Sequence, residues 1–366
     1  MKITCARLEL LDGLALAGGI VSPKSPKKIL RDVKLIAREN EGLEIQATDL
    51  EMAIRFQVHA VEVTRPGEIV APASELQAIV REIGDGTIEI ESVEEAIKIR
   101  YSDGYFELMG DQADDFPLVP TFDVSQVVEI PAKEFVRLSE RSMFATAREK
   151  TRYAINGVLL WMDSERVRMV GTDGRRMALI ESPVETGLSE PKSAIIPSRG
   201  MQQVNRLIQG EDLLIQLNIG ESQLMVRTPR AELATRLVEG EFAPYEKVIP
   251  DHSEYRVELD RDRFLANARR SALLTTVDSR TVRLEFNGEE LIFKSYSSGV
   301  GQSEIRMEGV AYSGPPVEIS FNPEFLTEAL KVAENEVISM DFTNGSQAAK
   351  FTLGESFVYV VMPVTV

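Results

Sequence analysis

The chain has 366 residues, 43% of them hydrophobic, and a formal net charge of −17, material for two or three ordinary globular domains. No apolar run approaches the ~20 residues that span a bilayer, and the opening MKITCARLELLDG lacks a signal peptide's long apolar segment, so a cytoplasmic protein with no membrane partner is expected. One cysteine, Cys5, excludes an internal disulfide framework, and two isolated histidines, His59 and His252, argue against a Cys/His site, so neither metal nor cofactor is expected.

In chain order, KITCARLELLDGLALAGGIV from Lys2 reads as a short strand running into a helix, followed by a basic loop with Lys24, Lys27, Lys28, Arg31 and Lys34. LEIQATDLEMAI from Leu43 reads as strand, tight polar turn, strand. IVAPASELQAIVREI is a β-rich run, a proline suited to a first helical turn, and an amphipathic helix. In the strand GYFELMG, Phe106 and Leu108 alternate with Glu107.

The series then restarts. VVEIPAKEFVRLSERSMFAT from Val127 repeats the strand and helix, VRMVGTDGRRMALI from Val167 the strand–turn–strand, and AIIPSRGMQQVNRLI the proline-led helix. A third series comprises YRVELDRDRFLANARRSALL from Tyr255, LIFKSYSSGVGQSEI with the turn motif degraded, and EISFNPEFLTEALKV, where Asn322 is placed to cap the helix opened by Pro323. Pro72, Pro197 and Pro323 recur about every 125 residues. The chain therefore divides into units 1–125, 126–252 and 253–366, with boundaries at TFDVSQ and PDHSEY. Each holds two helices and several hairpin-linked strands, an α+β class with antiparallel sheets. Helices with one polar and one apolar face lie on the same side of their sheets, which predicts a curved array, helices inside and sheets outside.

A charge of −17 argues against nucleic acid, which recruits clustered Lys and Arg. Screening confines exposed charges to about 8–10 Å, however, so the distribution decides. Lys133, Arg137 and Arg141 fall on one helix stripe, with Arg148, Lys150 and Arg152 just beyond. Arg199 and Arg206 share a face of the next helix; Arg263 and Arg270, with Arg269 beside them, do so in the third unit. Acid gathers in VEEA, DQADDF, EGEF and NGEEL, which read as strand ends and loops, although the last helix sets Glu324, Glu328 and Glu334 against Lys331. Two readings stand: solvated helix faces, or a basic lining under an acidic exterior that draws a phosphate backbone to one side only.

The strings TDLEMAI at Thr48, RYAINGVLL at Arg152, GTDGRRMALI at Gly171, EGEFAPYEKVIP at Glu239 and the terminal YVVMPV, in this order over the whole length, resemble the family of bacterial DNA polymerase III beta subunits, the beta sliding clamps. The resemblance implies three tandem similar domains of the DNA-clamp type, each with two helices packed on antiparallel sheets. It implies a head-to-tail homodimer closing a ring, helices lining the channel, around duplex DNA of any sequence. Such a clamp performs no chemistry and has no catalytic residues. It tethers the DNA polymerase III alpha subunit, is placed by a clamp loader complex, and serves other DNA polymerases and repair proteins carrying clamp-binding peptides; the location implied is the cytoplasm, at the nucleoid. Enclosure rather than grip then explains modest basic stripes, because weak phosphate contacts permit sliding.

Residue by residue, Lys24, Arg152, Tyr153 and Arg199 match DNA-touching positions of the family, and the stripes add Arg137, Arg141, Arg148 and Arg206. Glu149 stands where a DNA-contacting Gln can occur, so that contact is not carried over. The dimer strand matches Phe106 and Leu108, with Leu273 and Leu274 on the partner surface; the other reading of Phe106 and Leu108 is that they face their own core. The family's peptide pocket matches Ile155, Thr172, Gly174, Arg175, Arg176, Met177, Pro244, Lys247, Val248, Val360, Met362, Pro363 and Val364. Methionines adapt to several ligands, Pro363 interrupts pairing so that the last residues stay available to a guest, and Arg175, Arg176 and Lys247 offer charge to an entering peptide. Ala243 replaces a proline usual in that string, with Pro244 after it, and Lys247 stands near a rim that usually carries a basic residue. The tail reads equally as a last core strand, with Val358 and Val360 alternating with their neighbours into and out of it.

An enzyme finds little support. There is no G-x-x-x-x-G-K-[ST] loop, no G-x-G-x-x-G and no G-x-S-x-G. Asp49 and Asp173 suit turns, and Asp114 and Asp115 suit a solvated loop better than a metal. The alternative to a ring is a non-encircling three-domain peptide-binding scaffold.

Overall fold

Antiparallel pairing organises the chain into four sheets in the computed structural model, which describes residues 1–84, 86–149, 152–208, 210, 212–276 and 280–364. Lys150 of the basic run lies outside the described residues. Among them are six α-helices: α1 (Arg7–Ile20), α2 (Ala73–Glu82), α3 (Ala132–Met143), α4 (Ser198–Ile208), α5 (Arg261–Ala272) and α6 (Pro323–Lys331).

Residues 1–133 with 199–237 form one unit. Its larger sheet runs Val128–Pro131, Leu214–Ile219, Gln223–Arg227, Ala231–Arg236, Met52–Val58, Gly42–Thr48, Asp32–Arg38, Gly67–Pro72. Its smaller sheet runs Val61–Arg65, Lys2–Ala6, Thr87–Val93, Ala96–Tyr101, Gly104–Met109. α1 buries Leu10, Leu14, Ala17 and Ile20, spaced three and four apart, and packs on the Gly42–Thr48 and Met52–Val58 strands. Each such leucine contributes about 1.5–3 kcal/mol. Cys5 is buried, and burial pushes its thiol up to about 12, which leaves it neutral and unreactive.

Residues 134–198 with 238–366 form the other unit. Its larger sheet runs Lys192–Pro197, Gly157–Met162, Arg166–Thr172, Arg176–Pro183, Phe357–Val361, Ala349–Gly354, Val337–Phe342, Tyr255–Asp260. The smaller runs Gly301–Glu308, Glu290–Ser297, Val282–Asn287, Val317–Phe321. The core is aromatic: Phe264 lies 5.3 Å from Phe293 and 6.3 Å from Phe351, centroid to centroid. Asn322 caps α6 as expected, accepting the Glu324 N–H at 2.9 Å. Asp260 caps α5 in the same way, through the Arg263 N–H at 2.8 Å.

The two units do not follow the three sequence repeats. The middle repeat is shared out, its Leu214–Arg236 strands joining the first repeat's sheet and its Gly157–Pro197 strands joining the third's. The junctions are full ladders: Ala53 stands opposite Ala234 in one sheet, and Met177 opposite Val360 in the other. The physical reason is the sheet edge. Met52–Val58 and Arg176–Pro183 are the last strands of their own hairpins, and a strand from the next repeat satisfies their open N–H and C=O groups.

Candidate partner-peptide and nucleic-acid sites

The turn between Arg166–Thr172 and Arg176–Pro183 is built by its own side chains. Thr172 Oγ1 donates to the Arg176 carbonyl at 2.7 Å and accepts the Gly174 N–H at 3.1 Å. Asp173 Oδ1 accepts the N–H groups of Arg175 at 2.9 Å and Arg176 at 3.1 Å. Gly174 takes φ +82°, where glycine costs least. Arg175 stands exposed at the tip, and its carbonyl accepts the Met362 N–H at 2.8 Å, which holds the C-terminal segment against the turn.

Beneath this turn Met177 and Val360 pack with Val170 and Tyr245 in one buried cluster, bordered by Leu159, Leu179, Phe242 and Val358. Pro244 leads into a 3-10 turn, Tyr245–Val248, that leaves Lys247 and Val248 exposed. The N–H of Ala154, beside buried Ile155, donates to the Glu241 carbonyl at 3.0 Å and fixes the approach to that turn. The segments that build this buried apolar cluster thus also carry two exposed apolar side chains, Val248 and Met362, at 49% and 45%, and two exposed cations, Arg175 and Lys247. Apolar anchors with a charged rim suit an apolar peptide.

Two expectations are corrected here. Arg176 offers no charge to a guest. Its Nε bonds Asp173 at 3.0 Å, its Nη1 Glu328 at 2.5 Å and its Nη2 the Phe144 carbonyl at 2.9 Å, while the Phe325 ring lies 4.3 Å away. Burial opposes its charge, but Tyr359 and the Glu328 and Asp173 carboxylates outweigh burial and raise its pKa; a guanidinium this buried must be paired. Pro363 does not free the tail either, because the next N–H, that of Val364, donates to the Ser320 carbonyl at 2.7 Å. The final strand alternates faces as expected, and both faces are covered. Val358 and Val360 face the cluster just described, and Phe357, Tyr359 and Val361 are buried as well.

The basic residues separate into free and spent. Lys24, Arg148, Arg152 and Arg206 are exposed and, among the described residues, make no ion pair; Arg152 lies 5.7 Å from the Tyr153 ring. Arg137 and Arg141 both pair with Glu334, at 2.6 Å and 2.9 Å. Arg199 pairs with Asp49 and donates to the Ile20 carbonyl at 3.0 Å. The α3 stripe is therefore largely neutralised, since half-buried guanidiniums require counter-charges, and Arg148 and Arg152 carry more open charge than the helix.

Family models match the chain domain by domain: the N-terminal domain of the DNA polymerase III beta subunit over residues 1–120, its central domain over 129–244 and its C-terminal domain over 246–365. The chain belongs to the DNA polymerase III beta subunit family. The beta sliding clamp of Chlamydia pneumoniae is 29% identical over 367 residues, covering 100% of this chain and 99% of the relative. That of Pseudomonas putida is 29% identical over 368 residues, 100% of both. The crystal structure of the Pseudomonas aeruginosa DNA polymerase III subunit beta superposes with a TM-score of 0.93 at 28% identity, covering 100% of both chains. A sliding clamp from the same organism bound to griselimycin gives 0.94 at 28%, again over 100% of both. The fold is thus three tandem clamp domains, six helices on antiparallel sheets.

Within this beta-subunit fold, Gly104–Met109 is an edge strand, paired on one side only with Ala96–Tyr101. Phe106 and Leu108 stand opposite Ile99 and Ile97, both fully buried, so they lie on the core face. At the edge that face is incompletely covered: Phe106 stays 40% exposed while stacking on Tyr101 at 5.8 Å. The reading that these residues face their own core therefore holds in part. Leu273, at the end of α5, is 79% exposed and Leu274 half-buried. Sequence reasoning passed over Tyr245, the buried anchor of the peptide-site cluster, whose hydroxyl accepts from Arg168 Nη1 at 3.0 Å. Its signal was its place in EGEFAPYEKVIP.

Proposed function

We propose that this chain is a sliding clamp that closes head to tail with a second copy around duplex DNA and tethers a replicative polymerase, the DNA polymerase III alpha subunit, through the Met362–Val248 surface. The clamp loader and other polymerases and repair proteins engage the same surface with short apolar peptides. The observation that carries this is the exposed pair Val248 and Met362, with Arg175 and Lys247, on segments that bury Met177 and Val360 in one cluster: apolar anchors with charged neighbours are a recurring plan for binding peptides. Closure rests on the open side of the Gly104–Met109 edge strand joining the surface that carries Leu273 and Leu274. The open cations Lys24, Arg148, Arg152 and Arg206 supply weak, salt-sensitive contacts to the backbone. The chain acts without catalysis, in the cytoplasm at the nucleoid.

Two measurements test it. Loaded clamp should persist on a closed circular plasmid and leave once the plasmid is linearised; a non-encircling scaffold is indifferent to the cut. Changing Met362 and Pro363 together to alanine should weaken a polymerase-tail peptide more than tenfold, a loss above about 1.4 kcal/mol, with the native mass of the dimer unchanged. Loss of the dimer instead would reject the assignment.

A further inference from the structure

A cavity of about 420 Å³ opens in the first unit among α1, α4 and the 228–230 turn, and its size is that of a small-molecule site. Leu16, Phe56, Leu207, Leu213 and Pro229 supply its apolar lining. Two arginines, Arg206 and Arg230, line it as well, with Asp12 and Thr228. Among the described residues neither arginine has an ion-pair partner, whereas Arg137, Arg141, Arg176 and Arg199 all have one.

The site is held in shape from several sides. Arg230 lies over the Phe56 ring at 5.0 Å. Its backbone is pinned twice, the N–H to Thr228 Oγ1 at 3.4 Å and the carbonyl by the Gln57 N–H at 2.8 Å. Gly13 lets α1 lie flat on the same ring, since a Cβ there would fall 2.6 Å from Phe56 Cδ1. Gly19 admits Arg206 against α1, since a Cβ there would stand 3.0 Å from its Nη1.

We propose that this cavity is a second ligand site, for an amphipathic monoanion: a compact apolar body bearing one carboxylate or sulfonate. The lining takes the apolar body. A guanidinium without a carboxylate partner takes an acid through paired N–H donors. Asp12 sets the charge, because two guanidiniums and one carboxylate leave a net single positive charge that matches a monoanion and disfavours a free apolar molecule or a second cation. The site is separate from the peptide surface and does not depend on it, as it lies wholly within the first unit.

The test uses the full chain with 8-anilinonaphthalene-1-sulfonate as probe and its neutral counterpart N-phenyl-1-naphthylamine as control. The sulfonate should give a saturable fluorescence rise with one site per chain that survives a saturating polymerase-tail peptide. The neutral compound should bind at least tenfold more weakly. Arg230→Glu should weaken the sulfonate at least tenfold, and Ala15→Phe, which fills the cavity from α1, should abolish the signal; peptide affinity should be unchanged in both. Should Ala15→Phe lose the peptide too, it has misfolded, and Arg230→Glu on its exposed turn decides alone. Displacement by the peptide, equal binding of the neutral compound, or indifference to Arg230→Glu each overturns the proposal.

Discussion

The turns Thr48–Met52 and Thr172–Arg176 are one structure set in two surroundings. In the first, Thr48 Oγ1 bonds the Met52 carbonyl at 2.8 Å and the Leu50 N–H at 3.0 Å, and Asp49 Oδ1 takes the N–H groups of Glu51 at 3.0 Å and Met52 at 2.7 Å. The second repeats every one of these bonds, with Gly174, Arg175 and Arg176 in place of Leu50, Glu51 and Met52. Even the left-handed third residue is kept, at φ +76° for Leu50 and +82° for Gly174. What differs is what each turn faces. The strand beside the first continues into the chain, and the Arg236 N–H donates to the Glu51 carbonyl at 2.9 Å. The strand beside the second ends at Val361, and Met362 just past it is bonded to Arg175 but exposed as a side chain. Frame and function are thus written by different residues. Thr and Asp build the turn, and the positions after them choose its surface.

The comparison breaks hardest at its fifth residue. Arg176→Met, which imports the residue of the first turn, strands the Asp173 and Glu328 carboxylates and should cost about 2–3 kcal/mol, visible as a lower midpoint in thermal unfolding. A change under about 0.5 kcal/mol would show that Arg176 is not the clasp described. Next come the shared aspartates. Asp49→Ala and Asp173→Ala each remove two bonds to backbone N–H groups and should destabilise by a similar ~1–2 kcal/mol; a several-fold inequality between them would deny that the turns are equivalent.

Smaller still is the exchange at the third residue. Leu50→Gly should relieve a left-handed leucine and stabilise by up to about 1 kcal/mol, and Gly174→Leu should cost about as much. Denaturant midpoints moving in opposite directions are the expected signature.

The smallest effect depends on pH. Asp32 faces Pro72 as Gly157 faces Pro197, so only the first unit carries a carboxyl there. Burial, with Asp111 next, raises that carboxyl, and Lys28 only partly opposes. The folded chain then holds the Asp32 proton to higher pH than the unfolded chain does. Stability therefore falls as pH rises from the ordinary value of 3.8 through the raised one, and the deficit persists above it. Asp32→Asn should be the more stable protein at neutral pH, and the two should converge below pH 3.8. A gain that stays constant with pH would remove the carboxyl as its cause.

The repeats, the paired turns and the cap at Asn322 were legible because each is local: alternation, a Thr-Asp pair and a capping residue sit within a few positions. The proposed peptide surface was legible through its strings, which carry Met177, Pro244 and Met362 together. What stayed hidden is long-range pairing. Nothing near Arg137 or Arg141 announces Glu334, and nothing near Arg176 announces Glu328, so a basic stripe and a free arginine were expected where the fold brings counter-charges. The sharing of the middle repeat was hidden for the same reason, because periodicity marks strands without saying which repeat supplies the neighbour.

That sharing limits how the molecule can be divided. A fragment holding one repeat, cut at the sequence boundaries, would expose a full ladder of bare amides along Met52–Val58 or Arg176–Pro183, and would aggregate or borrow a strand from another copy. A clamp of this kind is tandem by necessity: its modules are units of inheritance but not of folding, and the seam between two of them is where each becomes complete.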